Sequence, residues 1–195
     1  MIRKYSERLF VAFLLWGLVA CHSSPEEQYF DREQQELASG QRYDSLFKGI
    51  HFNMEREQFM DYCFNMNLQH EFRQGGVRSS SWVECDLEGM NYPSAINFFP
   101  TFEDGAMTEM EAAIYYKAVT AGGPISQGDS LLADVIQLLE TWYGGGFIKI
   151  NSPYFYKEDV FAKVDGNRRI TVFKDPSGHL INLWYVDLSK KKDGE

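Results

Sequence analysis

The chain has 195 residues, 19 Lys+Arg against 28 Asp+Glu and a net charge of −9, long enough for one domain with a sizeable core or for two small ones. An acidic surface repels phosphate backbones, and no stretch interleaves a Lys/Arg patch with aromatics, so nucleic-acid binding is disfavoured. Solubility or a basic partner surface accounts for the charge instead.

Arg3, Lys4 and Arg8 head the chain and are followed by an uninterrupted apolar run from Leu9 to Ala20, then by Cys21. This is the layout of a secretory signal. Twelve apolar residues in a helix rise about 18 Å, short of the roughly 30 Å hydrocarbon core, so the segment reads as removed and not as spanning. Leu18-Val19-Ala20-Cys21 closely resembles the bacterial lipoprotein signal. The resemblance implies that Cys21 is acylated, with palmitate-type chains, and becomes the new N-terminus. Acyl chains contribute roughly 0.8 kcal/mol per buried methylene and hold a protein on a membrane surface without spanning it. Loss of residues 1–20 leaves 175 residues with 16 Lys+Arg against 27 Asp+Glu, a net charge of −11.

Residues 21–43 are rich in Glu, Gln, Ser and Asp, show no sustained helical period, and read as an acidic tether. Glu26 and Glu27 loosely resemble the acidic signal that directs some Bacteroidetes lipoproteins to the cell surface. Outer membrane is the expected location, with leaflet and side left open.

Beyond the tether, two units of one kind follow, 44–123 and 124–190, each a helix and three strands. In the first, Asn53 is the expected N-cap of a helix ending near Asn67, with Glu55 and Glu57 in its first turn and Phe59, Tyr62, Cys63 and Met66 on its apolar face. Strands are expected at Trp82 to Leu87, at Ser94 to Phe102 and at about Met107 to Val119. In the first of these Val83, Cys85 and Leu87 point inward; in the third Met110, Ala112, Ile114 and Tyr116 share a face. Glu103-Asp104-Gly105 supplies the turn between the second and third strands.

Ala121-Gly122-Gly123-Pro124 breaks the chain, and Asp129 is the expected N-cap of a second helix, Ser130 to Tyr143. Its apolar stripe is wide, which implies deep burial against a sheet. Gly144-Gly145-Gly146 stops it. Strands follow at about Tyr156 to Val164, Arg168 to Lys174 and Leu180 to Leu188, joined by Asp165-Gly166-Asn167 and Asp175-Pro176-Ser177-Gly178. The expected fold is α+β, an antiparallel sheet with helices on one face.

The tandem helix-plus-meander layout resembles β-lactamase inhibitor protein and, unit by unit, the small lipoprotein of the outer-membrane barrel assembly machine. Leu46-Phe47-Lys48-Gly49-Ile50 leading through Phe52-Asn53-Met54 into a helix carries most of that likeness. From Leu46 to Leu188 the chain also resembles Bacteroidetes lipoproteins of undescribed activity. Fold alone does not carry function.

Cys63 and Cys85 fall on facing apolar surfaces, so they form either a disulfide or a pair of buried free thiols. Closing their loop of about 20 residues would stabilise by roughly 3 kcal/mol in the chain-entropy model. His22, His51, His70 and His179 lack ligand spacing, which gives no metal site. Ser79-Ser80-Ser81 lacks a nucleophile elbow, and the triple glycine ends a helix where a phosphate cradle opens one. Glu84, Asp86 and Glu88 project together from a strand, where a solvated face is the bland reading and an acid/base pair the sharp one. Trp82, Tyr92, Tyr115, Tyr154 and Tyr156 are candidates for a contact surface, either exposed or covered by a second layer.

These features lead to the expectation of a non-enzymatic envelope lipoprotein without cofactor. It would be anchored to the membrane through Cys21 and bind an envelope protein through the outer face of its sheet. The alternative is a small surface glycan-binding protein or hydrolase using Glu84 and Asp86 with Trp82 and Tyr92 as aromatic platforms.

Overall fold

A computed structural model describes residues 23–77, 79, 81–117, 128–151 and 160–190. The signal segment, Cys21, His22, Ser80, the Ala121–Pro124 break, Pro153, Tyr154, Phe155 and Tyr156 lie outside the described residues. The fold is α+β: helices α1 (Pro25–Ala38), α2 (Arg56–Leu68) and α3 (Gly128–Tyr143) accompany one sheet. Its strands are β1 (Phe72–Gln74), β2 (Val83–Leu87), β3 (Ser94–Glu103), β4 (Ala106–Tyr116), β5 (Ile148–Ile150), β6 (Val160–Asp165), β7 (Arg168–Lys174) and β8 (Ile181–Asp187). The sheet order is β1-β2-β3-β4-β8-β7-β6-β5, and every pairing is antiparallel. The meander β2-β3-β4 and the meander β6-β7-β8 therefore share one sheet, joined where Ala112 faces Leu183 across β4 and β8.

Strand alternation divides the buried side chains between two faces. One face carries Cys85, Leu87, Ile96, Phe98, Met110, Ala112, Ile114, Ile170, Val172, Leu183 and Tyr185. It packs beneath Phe59 of α2 and Leu131, Val135, Leu138 and Leu139 of α3. Met107 and Met110 both reach this core because the β3–β4 register shifts at Thr101/Phe102, a bulge that re-aims the strand end. The other face carries Val160, Ala162, Val164 and Val186, covered by Tyr29 of α1. So α2 and α3 lie together, but α1 lies on the opposite face, which corrects the expectation of helices on one face.

The expected tether is thus a helix over most of its length. Ser24 caps it: the Ser24 hydroxyl accepts the Glu27 N–H at 3.1 Å and the Glu27 carboxylate accepts the Ser24 N–H at 2.9 Å, with Pro25 in the first turn. Docking comes from Tyr29 and from two carboxylates that accept backbone donors just outside the strands, Glu26 from Asn151 N–H (3.0 Å) and Glu36 from Gly166 N–H (2.8 Å). Few apolar residues are needed for such an attachment, so hydrophobic periodicity does not reveal it.

Both N-cap assignments shift. Asn53 sits at φ 61 in a left-handed turn before α2, and its N–H donates to Met107 O at 2.9 Å. Glu55 takes the cap position, where its N–H donates to the Gln58 side chain at 3.1 Å. Asp129 lies inside the first turn of α3, which starts at Gly128, and accepts from Lys174 Nζ at 2.7 Å. The turns follow their residues: Asp104 (φ 49) and Gly105 (φ 85) make a two-residue β3–β4 hairpin of the primed kind. Gly144, at φ 78, ends α3 as expected.

A polar knot closes the β6–β7 end. Asn167, 3% exposed, accepts from Tyr43 N–H at 2.7 Å and donates to both Asp44 and Asp187 at 3.0 Å. The preceding Gly166 has φ 51, and a Cβ there would stand 2.3 Å from Gln41 O, so only glycine lets this turn pass the incoming chain.

Candidate functional site

Two surfaces bear on function. The first is the outer side of the β1–β4 half of the sheet. Glu84 pairs across β2–β3 with Asn97 and across β1–β2 with Arg73. Its carboxylate accepts from Arg73 Nε at 2.5 Å, from Asn97 Nδ2 at 2.8 Å and from the Tyr115 hydroxyl. Asp86 accepts from Arg73 at 2.6 Å and from Lys117 Nζ at 2.7 Å.

The electrostatics follow from these bonds. Burial alone would raise Glu84, but the donors Tyr115, Asn97 and Arg73 outweigh it and hold the carboxyl below the usual carboxylate range. Asp86 is lowered by hydrogen bonds from Lys117 and Arg73. Tyr115 is raised, by burial first and then by its bond to Glu84. A general acid for glycoside cleavage needs the opposite shift, a carboxyl raised toward neutral pH.

This corrects the picture of three acids on a solvated strand face. Glu84 is 7% exposed, Asp86 is exposed, and Glu88 lies past the end of β2. Gly76 keeps the lattice closed: a Cβ there would meet Asn97 Nδ2 at 2.0 Å, and the neighbouring Val77 N–H donates to Asn97 Oδ1 at 2.8 Å.

The candidate aromatics do not form one platform. Trp82 stacks on Phe99 (centroids 6.1 Å apart, 24° between planes) on the same face as Tyr115. Tyr92 packs edge-on against Tyr116 at 5.2 Å, and Tyr116 donates to Asp134 of α3, which places Tyr92 on the helix side of the sheet. Tyr154 and Tyr156 lie outside the described residues.

Cys63 and Cys85 are free thiols in this structure, one half-buried on α2 and one fully buried on β2. Burial pushes each up to about 12, which suppresses the thiolate and with it nucleophilic or ligand chemistry. Among the described residues, two surface cavities can be set beside the candidate acids. One of ≈ 450 Å³ lies between the start of α3 and the Lys174–Gly178 turn, and one of ≈ 390 Å³ is lined by Leu46, Phe47, Lys48, Leu87, Glu88 and Trp142. Neither contains Glu84 or Asp86.

The second surface is the outer side of α2. Met60, Phe64 and Leu68 are 63%, 64% and 62% exposed. At spacing i, i+4, i+8 they form one line along the helix, about 12 Å from first to last. The opposite side of the same helix, Phe59, Tyr62, Cys63 and Met66, packs into the core. Alpha2 is apolar on two sides, whereas a helix lying on a globular surface ordinarily has one apolar stripe. The second stripe was readable in the sequence as a repeat interleaved with the first; Arg73 carried no such signal, because β1 spans three residues.

Comparison with protein-family models, with curated proteins and with solved structures finds no match.

Proposed function

We propose that this chain is a lipid-anchored protein of a bacterial cell envelope, acylated at Cys21. Its folded body is a non-enzymatic protein-interaction or assembly module. The observation that carries the reading is the exposed row Met60, Phe64 and Leu68. Three large apolar side chains in register on a helix already anchored from its other side suit a contact that excludes water. The sequence adds the Leu18–Cys21 signal; the expected three strands per unit become four, since β1 and β5 precede the two meanders. The outer membrane is the proposed location.

The contact surface differs from the sheet face expected at the outset. One half of that face is covered by α1, and the other is tied into the Glu84 lattice. The glycan-hydrolase alternative draws less support, because hydrogen-bond donors hold the Glu84 and Asp86 carboxyls below the usual range and Trp82 and Tyr92 occupy different faces.

Labelling cells with an alkynyl palmitate tests the anchor. The chain should take up label and fractionate with membranes, and Cys21→Ala should lose both. An unlabelled, freely soluble chain would sink the anchor, and turnover of a glycan that Glu84→Gln abolishes would replace the interaction module by the enzyme.

A further inference from the structure

Resting on the interaction-module reading, we propose that the row Met60, Phe64 and Leu68 docks an amphipathic helix of a partner protein whose apolar stripe is bordered by Lys and Arg. The charge around the row sets the border. Glu57 and Asp61 are exposed beside it on α2. The nearest cation on the helix, Arg56, is drawn onto the Phe102 ring, 4.4 Å from its centroid. At the C-terminal end Glu71 is half-exposed and meets Lys48 Nζ only at 3.5 Å. The rim is thus acidic on a chain that is acidic as a whole, and a basic border on the incoming helix complements it.

Two other occupants fit less well. A second copy packed antiparallel about Phe64 would set Glu57 against the copy's Glu71, placing like charges in register. A lipid surface conflicts with the anchor geometry. Only His22, Ser23 and Ser24 separate Cys21 from the first residue of α1, a reach of roughly 10 Å. Alpha1 is fixed to β5 and β6 on one face of the sheet, while α2 lies over β1 and β3 on the other, with Tyr62 against Phe72 and Phe59 against Phe102. Strands β1 and β5 are the two edges of the sheet, roughly 30 Å apart at ordinary strand spacing. The anchor therefore holds the β5 edge near the bilayer and presents the row at the far edge.

The test uses the full acylated chain in phosphatidylcholine nanodiscs and two synthetic helices with the same leucine stripe, one bordered by Lys and one by Glu, followed by fluorescence anisotropy. The Lys-bordered helix should bind and the Glu-bordered one should not. Phe64→Ser should weaken binding at least about tenfold, the loss expected of a central hot-spot side chain, while Phe99→Ser on the other face should leave it unchanged. Glu57→Gln with Asp61→Asn should weaken binding and flatten its salt dependence. Equal binding to wild type and Phe64→Ser would mean general charge attraction and overturn the proposal, as would equal binding of both helices. A concentration-dependent dimer lost in Phe64→Ser would assign the row to a second copy, and vesicle binding by Cys21→Ala through the row would assign it to lipid. Binding by a chain whose mass shows no acyl group would retain the docking site and discard the anchor. Failure of both synthetic helices alongside a native partner lost in Phe64→Ser would discard the basic-helix chemistry and retain the module.

Discussion

The Glu26 carboxylate accepts the Asn151 backbone N–H at 3.0 Å, tying the first turn of α1 to the end of β5. This contact and its counterpart at Glu36 make α1, Pro25–Ala38, part of the folded body. Tyr29, 7% exposed, is the apolar side chain of α1 that reaches the core. Tyr29→Ala should therefore release the helix at a cost of about 2–3 kcal/mol. Hydrogen exchange should show residues 25–38 protected in the wild type and unprotected in the variant; exchange at free-chain rates in the wild type would contradict the docking.

The two thiols give a direct chemical readout. With both pushed up to about 12 by burial, Cys63 and Cys85 should resist an aromatic disulfide reagent at pH 8 in the native Cys21→Ala chain. In denaturant that chain should release two equivalents. No release in denaturant without reductant would show a disulfide, and rapid native reaction would show that the α2–β2 contact is open.

Removing the Glu84 side chain should be costlier than changing its charge. Glu84→Ala leaves the buried Asn97 amide with only its long bond to Gly75 O at 3.4 Å and strips the Tyr115 hydroxyl of its Glu84 acceptor, a loss of about 1–3 kcal/mol, whereas Glu84→Gln keeps an acceptor oxygen and should lose less. Urea unfolding of the two variants checks the order. If Glu84→Ala were neutral, the lattice would have no structural role.

Acid should destabilise the fold through Asp187 and Glu84. Burial alone would raise Asp187, but Ser189, Asn167 and Arg42 donate to it and hold its folded value below the usual range. Donors likewise hold Glu84 low. Unfolded carboxyls titrate near pH 4, so the unfolded chain takes up protons first as pH falls. The stabilisation is complete above about pH 5 and declines through pH 4 toward the depressed folded values. Melting temperatures should be flat from pH 7 to 5 and fall below that, with a shallower fall in Asp187→Asn. A melting temperature that rises on acidification would contradict the assignment.

The two meanders and the two core helices were legible because each buries one face and so writes a period of 2 or 3.6 into the chain. Their glycine-bearing turns were legible because Asp104-Gly105 and Gly166 need backbone angles few residues adopt. Helix α1 was missed although Ser24-Pro25-Glu26-Glu27 spells a capping box, because its attachment runs through carboxylates bonded to backbone instead of a stripe. Strands β1 and β5, three residues each, are too short to show alternation. Glu84 looked exposed because alternation puts it opposite Cys85; its burial depends on Arg73, Asn97 and Tyr115, which come from three other strands.

The row on α2 is the central claim, and stoichiometry of co-isolation from native membranes tests it most directly. Acylated wild type, Phe64→Ser and Phe99→Ser would be compared after crosslinking, with matched melting temperatures as a check that each is folded. The account predicts one envelope protein at fixed stoichiometry with wild type and Phe99→Ser and its loss with Phe64→Ser. The same partner at the same stoichiometry in all three would contradict it.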